Sequence, residues 1–474
     1  MTFYFYDLET SGFNPRAARI MQFAGQRTDL NLKPVGKPHN FYIKLTDDVL
    51  PDPDAVLVTG ITPQKTRAEG ITEAEFLRIF HEEIATPDTI FSGFNIVRFD
   101  DEFMRYLNYR NFYDPYDWQW REGRGKWELL DVVRMTRALR PVGIKWAYDS
   151  EGRPSNTLGL LTTVNKLAHE NMHDALSDVN ASIAVAQLLR AKQPKLFDYL
   201  FGMRDKSQVE RLVKKGEPFV YTSGKYPSEF EKTTVVAMLA DHPKKKAVLV
   251  YDLRHDPTPF LKMKPEELAK AWQWQEDPEA LRLPVKTLQF NRSPAVAPLG
   301  VLKADDLNRL QLDQAQLKAN RQKIQNKAFI NNVLKALEIS DELQQTRFIE
   351  DEQSVDSRLY DGFFGNADQN TMRAIRAAQP TEIPDFEPKL QDSRLKALLP
   401  LYQARNYPGS LDRAGRQWWA GHCHRLLVAG GEGSKLSQYF ARINELKKQP
   451  QTTKEQKHLL KELELYGQNL AATY

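Results

Sequence analysis

Cysteine is almost missing from this sequence: Cys423 is the only one in 474 residues, which excludes an internal disulfide and any thiolate-rich zinc site. His422 and His424 flank it, but a zinc centre needs further ligands that no nearby spacing supplies, so the trio reads as structural. Long apolar runs are missing as well. No stretch approaches the roughly 20 residues that a membrane span requires. The opening Met1-Thr2-Phe3-Tyr4-Phe5-Tyr6-Asp7 has neither the basic start nor the cleavable apolar stretch of a signal peptide, so a cytoplasmic protein is expected. There is no internal repeat and no long low-complexity tract. What remains is ordinary globular material, 41% hydrophobic and 27% charged, in a chain too long for one domain of about 100–200 residues.

The net charge of +4 is small but unevenly placed. Residues 1–193 carry 26 acidic against 23 basic side chains, residues 194–347 carry 20 against 26, and residues 348–474 carry 16 against 17. A basic middle segment beside an acidic first one can attract a polyanion.

The first segment alternates strand-like and helix-like patterns. Strands are expected over Thr2–Asp7, Gln22–Thr28, His39–Leu45 and Thr89–Gly93, with helices over Glu73–Ile84, Leu129–Leu139 and His173–Ala191, which together indicate an α/β domain. After Pro194 the text turns β-rich, with short runs at Pro218–Thr222, Thr233–Leu239, Ala247–Leu253 and Val285–Phe290. The acidic stretch Ile339–Asp361 reads as a linker. Beyond it five helical segments follow, interrupted by an extended piece around Pro380, Pro384 and Pro388. Domains are therefore expected at 1–193, 194–347 and 348–474.

Asp7 and Glu9 stand two apart at a strand end, so both carboxylates leave the same face and one hard cation could bridge them. Asp100 follows an apolar strand at a strand-to-helix junction, where either it or Asp101 could instead cap the helix; only one of the two can point inward, with Phe99 and Phe103 packed in the core. Asp178 stands next to Val179 on a helix with a strong apolar face, and an acid close to such a face is costly to bury unless a cation pairs with it. His173, five residues earlier, is of the one residue type able to accept a proton from water near neutral pH. Residues 104–127 hold eight aromatics, including Tyr116 and Trp120, interleaved with Arg105, Arg110, Arg121, Arg124 and Lys126. Aromatic faces stack on unpaired bases while cations follow phosphates, so this segment reads as a single-strand-binding loop, the alternative being a core cluster.

Asp-x-Glu on the first strand, Asn-x-x-x-Phe-Asp-x-x-Phe at a later junction and His-x-x-x-x-Asp on a late helix together resemble the DEDDh family of 3′-to-5′ exonucleases. The words Tyr109-Arg110-Asn111-Phe112-Tyr113-Asp114-Pro115-Tyr116, Ala138-Leu139-Arg140-Pro141, Phe197-Asp198-Tyr199-Leu200-Phe201, Tyr360-Asp361-Gly362-Phe363-Phe364 and Ala404-Arg405-Asn406-Tyr407-Pro408-Gly409 extend the likeness almost end to end, to the bacterial exodeoxyribonuclease I family. The resemblance implies a ribonuclease H-like α/β exonuclease domain, an SH3-like β domain and a C-terminal α-helical domain clamped around single-stranded DNA. It implies a monomeric, nucleoid-associated hydrolase that removes deoxynucleoside 5′-monophosphates processively from 3′ ends in DNA repair and recombination. Asp7, Glu9, Asp100 and Asp178 would hold two Mg²⁺ ions, with Mn²⁺ as a substitute, Glu9 would also lie near the terminal nucleotide, and His173 would be the base. Arg105, Tyr116, Trp120, Arg134 and Thr157 match strand-contact positions, although relatives often carry arginine where Thr157 falls. A contact with the acidic C-terminal tail of the single-stranded-DNA-binding protein is implied too. The rivals are a DEDDh exoribonuclease trimming RNA 3′ ends, against which the large extra domains argue, and a non-catalytic single-strand clamp, which leaves the acids and histidine unexplained.

Overall fold

The computed structural model describes residues 1–169, 174–273, 277, 280–351 and 354–474, with the side chains of 344–351 excepted. The first domain is built on a mixed sheet of five strands, β1 (Thr2–Thr10), β2 (Ile20–Thr28), β3 (His39–Tyr42), β4 (Thr89–Gly93) and β5 (Gly125–Glu128), in the order β3-β2-β1-β4-β5. The β1–β2 and β2–β3 pairs are antiparallel, and β1–β4 and β4–β5 are parallel.

Strand β1 lies at the centre and is covered on both faces, which explains why its sequence is aromatic throughout rather than alternating. Phe3 and Phe5 pack with Val179, Ile183 and Ala186 of helix Ala175–Lys192. Tyr4, Tyr6 and Leu8 face the other way, into a cluster with Phe23, Phe76, Phe80, Phe103 and Trp118. Side chains alternate along a strand, so Asp7 and Glu9 continue the Phe3/Phe5 row and face the same helix.

Sequence periodicity located most of the elements. Helix Leu129–Leu139 has the expected bounds, and the late helix starts at Ala175, two residues after the expected start. Helix Glu73–Ile79 closes in a π-helical turn, Phe80–Ile84. Two short helices, Pro53–Thr59 and Pro63–Glu69, and strand β5 went unread, the last because its Lys and Trp were counted with the aromatic loop.

The β-rich segment forms a five-stranded antiparallel sheet in the order Val285–Gln289, Ala247–Asp252, Thr233–Asp241, Phe219–Thr222, Ala295–Pro298. Its core runs on into the first domain. Helix Pro194–Gly202 bridges them, with Phe197 and Phe201 packed edge-on to Trp127 of β5.

The acidic stretch expected as a linker carries regular structure. Its first part lies inside helix Lys327–Asp351, and Val355–Asp361 forms a 3₁₀ turn whose Leu359 is buried. Likewise the proline-rich piece is a 3₁₀ segment, Pro380–Lys389, seated by the buried Ile383 rather than extended. The expected helices follow at Asn366–Ala377, Ser393–Asn406, Arg413–Cys423, Lys435–Lys448 and Lys454–Thr473.

The helical domain is fastened to the first by buried charge. Arg405 bonds Asp48 and Asp356, each at 2.7 Å, and Arg19 bonds Asp356 at 2.6 Å, while Glu73 takes Arg110 at 3.0 Å. Cys423 is buried nearby and its thiol is pushed up to about 12, mainly by burial, as suits an inert structural residue. Among the described residues, no helix is long and apolar enough to cross a membrane.

Candidate active site

Four local devices aim the acids at one point. Strand β1 delivers Asp7 and Glu9, and a register irregularity just past Glu9 ends the regular pairing there. Strand β4 ends at Gly93, which must be glycine because a Cβ would come within 2.5 Å of the Tyr6 carbonyl oxygen. The chain then turns through Asn95, at φ 74°, into helix Asp100–Arg110. Glu128, at the end of β5, ties this turn down by accepting the N–H groups of Asn95 at 2.9 Å and Val97 at 3.0 Å. Asp174 caps helix Ala175–Lys192 through the Ser177 N–H and receives the Gln22 amide from β2 at 3.3 Å, which orients the first turn carrying Asp178.

Asp7, Glu9 and Asp178 then place carboxylate oxygens within 4.8 Å of one another. Asp100 is buried beside them and accepts the Leu8 N–H at 3.1 Å. It does not cap its helix, whose preceding residue, Phe99, makes no side-chain cap bond. Asp101 is buried too but points away, taking the Tyr6 hydroxyl at 2.8 Å and Lys126 at 3.1 Å. The adjacent aspartates therefore split between the cleft and an internal network. Phe103 is buried and packs at 4.9 Å, with its ring tilted, against the partly buried Phe99, which fixes that split. His173 lies outside the described residues.

The electrostatics distinguish the two aspartates. Burial raises Asp7 well above the usual carboxylate range, helped by Asp100, Glu9 and Asp178, and burial likewise raises Asp100. Glu9 is pushed up to about 8, by burial first and then by Asp178 and Asp100. Burial works against the charge of Asp101 as well, yet Lys126 and Arg105 hold it below the ordinary range. The cleft cluster is thus short of positive charge where the internal pair is not. An all-carboxylate set of this kind fits a hard divalent cation such as Mg²⁺ or Mn²⁺.

The aromatic segment is mostly core. Tyr106, Tyr109, Phe112, Trp118 and Trp127 are all buried, so the expectation of a strand-binding loop fails for five of its eight aromatics. Its cations are engaged as well: Arg105 pairs with Glu102 at 2.6 Å, Arg110 with Glu73 and Lys126 with Asp101. The reason is that 104–127 holds most of a helix and a strand, where aromatics pack, rather than one loop. Two members still face outward. Trp120 is 63% exposed, and Tyr116, half-buried above Arg105, meets Phe363 of the helical domain at 5.8 Å. Phe363 is 87% exposed and Phe13, in the turn after Glu9, is 72% exposed. Phe13 was not singled out from the sequence, and Phe363 entered only within the word Tyr360-Asp361-Gly362-Phe363-Phe364, because nothing in a sequence separates an exposed phenylalanine from a core one.

Arg134 pairs with Asp131 at 2.7 Å and reaches the β domain, where a Cβ on Gly224 would sit 2.9 Å from its guanidinium. Thr157 is exposed, immediately before helix Leu158–Asn165, and makes no capping bond. One group near the acids went unread: His169, whose Nε2 lies 2.6 Å from Asp178. Its spacing, nine residues before the acid and four before His173, was the available signal.

Three family models match in order, Exonuclease over residues 4–186, Exonuclease I SH3-like domain over 204–337 and Exonuclease I C-terminal domain over 353–470. The chain is 37% identical to Exodeoxyribonuclease I of Escherichia coli over 474 residues, covering 99% of this chain and 98% of that protein. Among solved structures it is similar to E. coli Exonuclease I in complex with a dA16 oligonucleotide, at 37% identity, 99% coverage of both chains and a TM-score of 0.91. The zinc-bound E. coli ExoI–ssDNA complex gives 38%, 99% of both chains and 0.91. An SSB/Exonuclease I structure with the inhibitor CFAM gives 37%, 99% of both chains and 0.89.

Proposed function

Because the chain belongs to the exodeoxyribonuclease I family, we propose that it degrades single-stranded DNA from the 3′ end, releasing deoxynucleoside 5′-monophosphates, and does so with two Mg²⁺ ions. The observation that carries this reading is the convergence of Asp7, Glu9 and Asp178 within 4.8 Å, with Asp100 buried alongside. Those four acids would hold the metals. When bound, a metal pair stabilises charge on the entering and leaving oxygens of an in-line phosphoryl displacement.

The remaining steps fall to side chains of the chain itself. His173 takes the proton from the attacking water, a task suited to an imidazole near neutral pH. Glu9, two residues beyond Asp7 on β1, faces the terminal nucleotide. Trp120, Tyr116 and Phe363 offer ring faces to unpaired bases upstream, which grips a strand without reading its sequence. Arg105 supports Tyr116 from below, and Arg134, at the seam between the first two domains, approaches the backbone phosphates. Thr157 supplies at most a neutral contact where an arginine would supply a charged one. Rings contributed by two domains favour a strand held while it is shortened, that is, processive cleavage, as repair and recombination intermediates require. The single-stranded-DNA-binding protein is the partner that the SSB/Exonuclease I complex brings to this chain.

The test is to incubate 5′-labelled single-stranded DNA, duplex DNA and RNA with the protein in Mg²⁺, with EDTA and Asp178→Ala as controls. A ladder shortening from the 3′ end of single-stranded DNA alone is expected. Intact single-stranded DNA in Mg²⁺, or equal shortening of RNA, overturns the reading.

A further inference from the structure

His169 is a buried histidine that the reaction as described does not use. Its side chain is 5% exposed, with Nε2 2.6 Å from Oδ1 of Asp178 and Nδ1 3.0 Å from the Thr162 hydroxyl. Thr162 belongs to helix Leu158–Asn165, which ends at Lys166 in the left-handed region at φ 56°; the Leu167 N–H then returns to the Thr162 carbonyl at 2.9 Å. That reversal folds the segment back on its own helix and sets the ring between Thr162 and Asp178. An ionised carboxylate oxygen only accepts hydrogen bonds, so Nε2 carries the hydrogen; Nδ1 rests against the Thr162 hydroxyl, which also reaches the Leu158 and Gly159 carbonyls at 3.1 and 2.9 Å.

We propose that His169 is a positioning residue for the metal centre: by holding Oδ1 of Asp178 it keeps that carboxylate turned toward Asp7 and Glu9. The inference rests on the metal reading above and adds to it a residue that touches neither metal nor DNA. The physical reason is that an aspartate on the first turn of a helix has free χ1 and χ2 rotation unless something fixes it. Among three carboxylates that repel one another, an unfixed one turns away. A hydrogen bond from a buried ring, itself fixed by a second bond, removes that freedom before the cation arrives. Outer partners of ligating carboxylates typically contribute about 10–100-fold in metal affinity or activity.

The test is Mn²⁺ binding to the full-length protein without DNA, by electron paramagnetic resonance of free Mn²⁺, for the parent, His169→Ala, His169→Gln, Thr162→Val and Asp178→Ala. His169→Ala is expected to weaken Mn²⁺ by about 10–100-fold. His169→Gln, which can place an amide donor near the same point, should recover affinity to within roughly three-fold of the parent. In the nuclease assay the Mg²⁺ concentration for half-maximal rate should rise with His169→Ala, while the rate at saturating Mg²⁺ returns toward the parent's. Thermal unfolding in EDTA checks folding, and should His169→Ala not fold, Thr162→Val decides in its place. Parent-like Mn²⁺ affinity in the deciding variant overturns this inference alone. A parent that takes up no Mn²⁺ overturns the metal reading and this inference with it.

Discussion

Replacing Glu9 with glutamine should stabilise the metal-free protein while destroying its use for a metal. Glu9 is 8% exposed, and its carboxyl is raised from an ordinary 4.5 to about 8, by burial first and then by Asp178, Asp100 and Asp174. Between those two values the folded protein holds a proton that the unfolded chain has released. Metal-free stability therefore falls as pH rises through that window, by at most ~1.4 kcal/mol per pH unit. By pH 7 the loss from this one group reaches about 3 kcal/mol, and at pH 4, below both values, it is close to zero. Glutamine keeps the shape and cannot ionise. In EDTA, urea unfolding of Glu9→Gln should thus show a gain approaching ~3 kcal/mol at pH 7 and almost none at pH 4. Saturating Mg²⁺ should reverse the order, because the parent gains binding free energy that the variant forfeits. A Glu9→Gln protein no more stable than the parent at pH 7 in EDTA, or equally stabilised at pH 4, would refute the account of this cluster as a site short of positive charge.

Other outcomes follow from the same geometry. Trp120→Ala should weaken single-stranded DNA binding by about 1–3 kcal/mol, roughly 5–150-fold in Kd, with little change in single-turnover cleavage of bound strand; unchanged affinity in a filter-binding titration would remove the stacking role. Arg405→Ala leaves Asp48 and Asp356 buried without their shared partner, so unfolding free energy should drop by about 3–5 kcal/mol, read by urea titration, and Asp48→Asn in that background should recover part of it. Burial opposes charge on Asp48, yet Arg405 and Arg19 hold it below its ordinary 3.8. Its contribution at the domain junction is therefore present above that value and lost as pH falls below it, which tryptophan fluorescence across an acid titration should report as loosening of the helical domain.

How far the sequence reaches depends on how local each cause is. The Asp7/Glu9 pair was legible because alternation along a strand is fixed by backbone geometry, and helix Leu129–Leu139 because its apolar spacing is. Length, the lone cysteine and the charge of each segment needed no structure at all. The aromatic segment shows the limit. Counting rings says nothing about which side of a helix or strand they leave, and only packing against Phe80, Phe91 and the helical domain buries most of them while leaving Trp120 outside. Asp100 and Asp101 are neighbours in sequence and opposites in role because Lys126 and Tyr6, distant along the chain, neutralise one and not the other. Glu128, His169 and the Arg405 junction are likewise relations between remote positions. The sequence by itself determined which residues could do chemistry and the order of the three domains. Tertiary structure decided which acids share a cleft and which rings face a strand, since burial and charge pairing exist only once segments far apart in the chain have met.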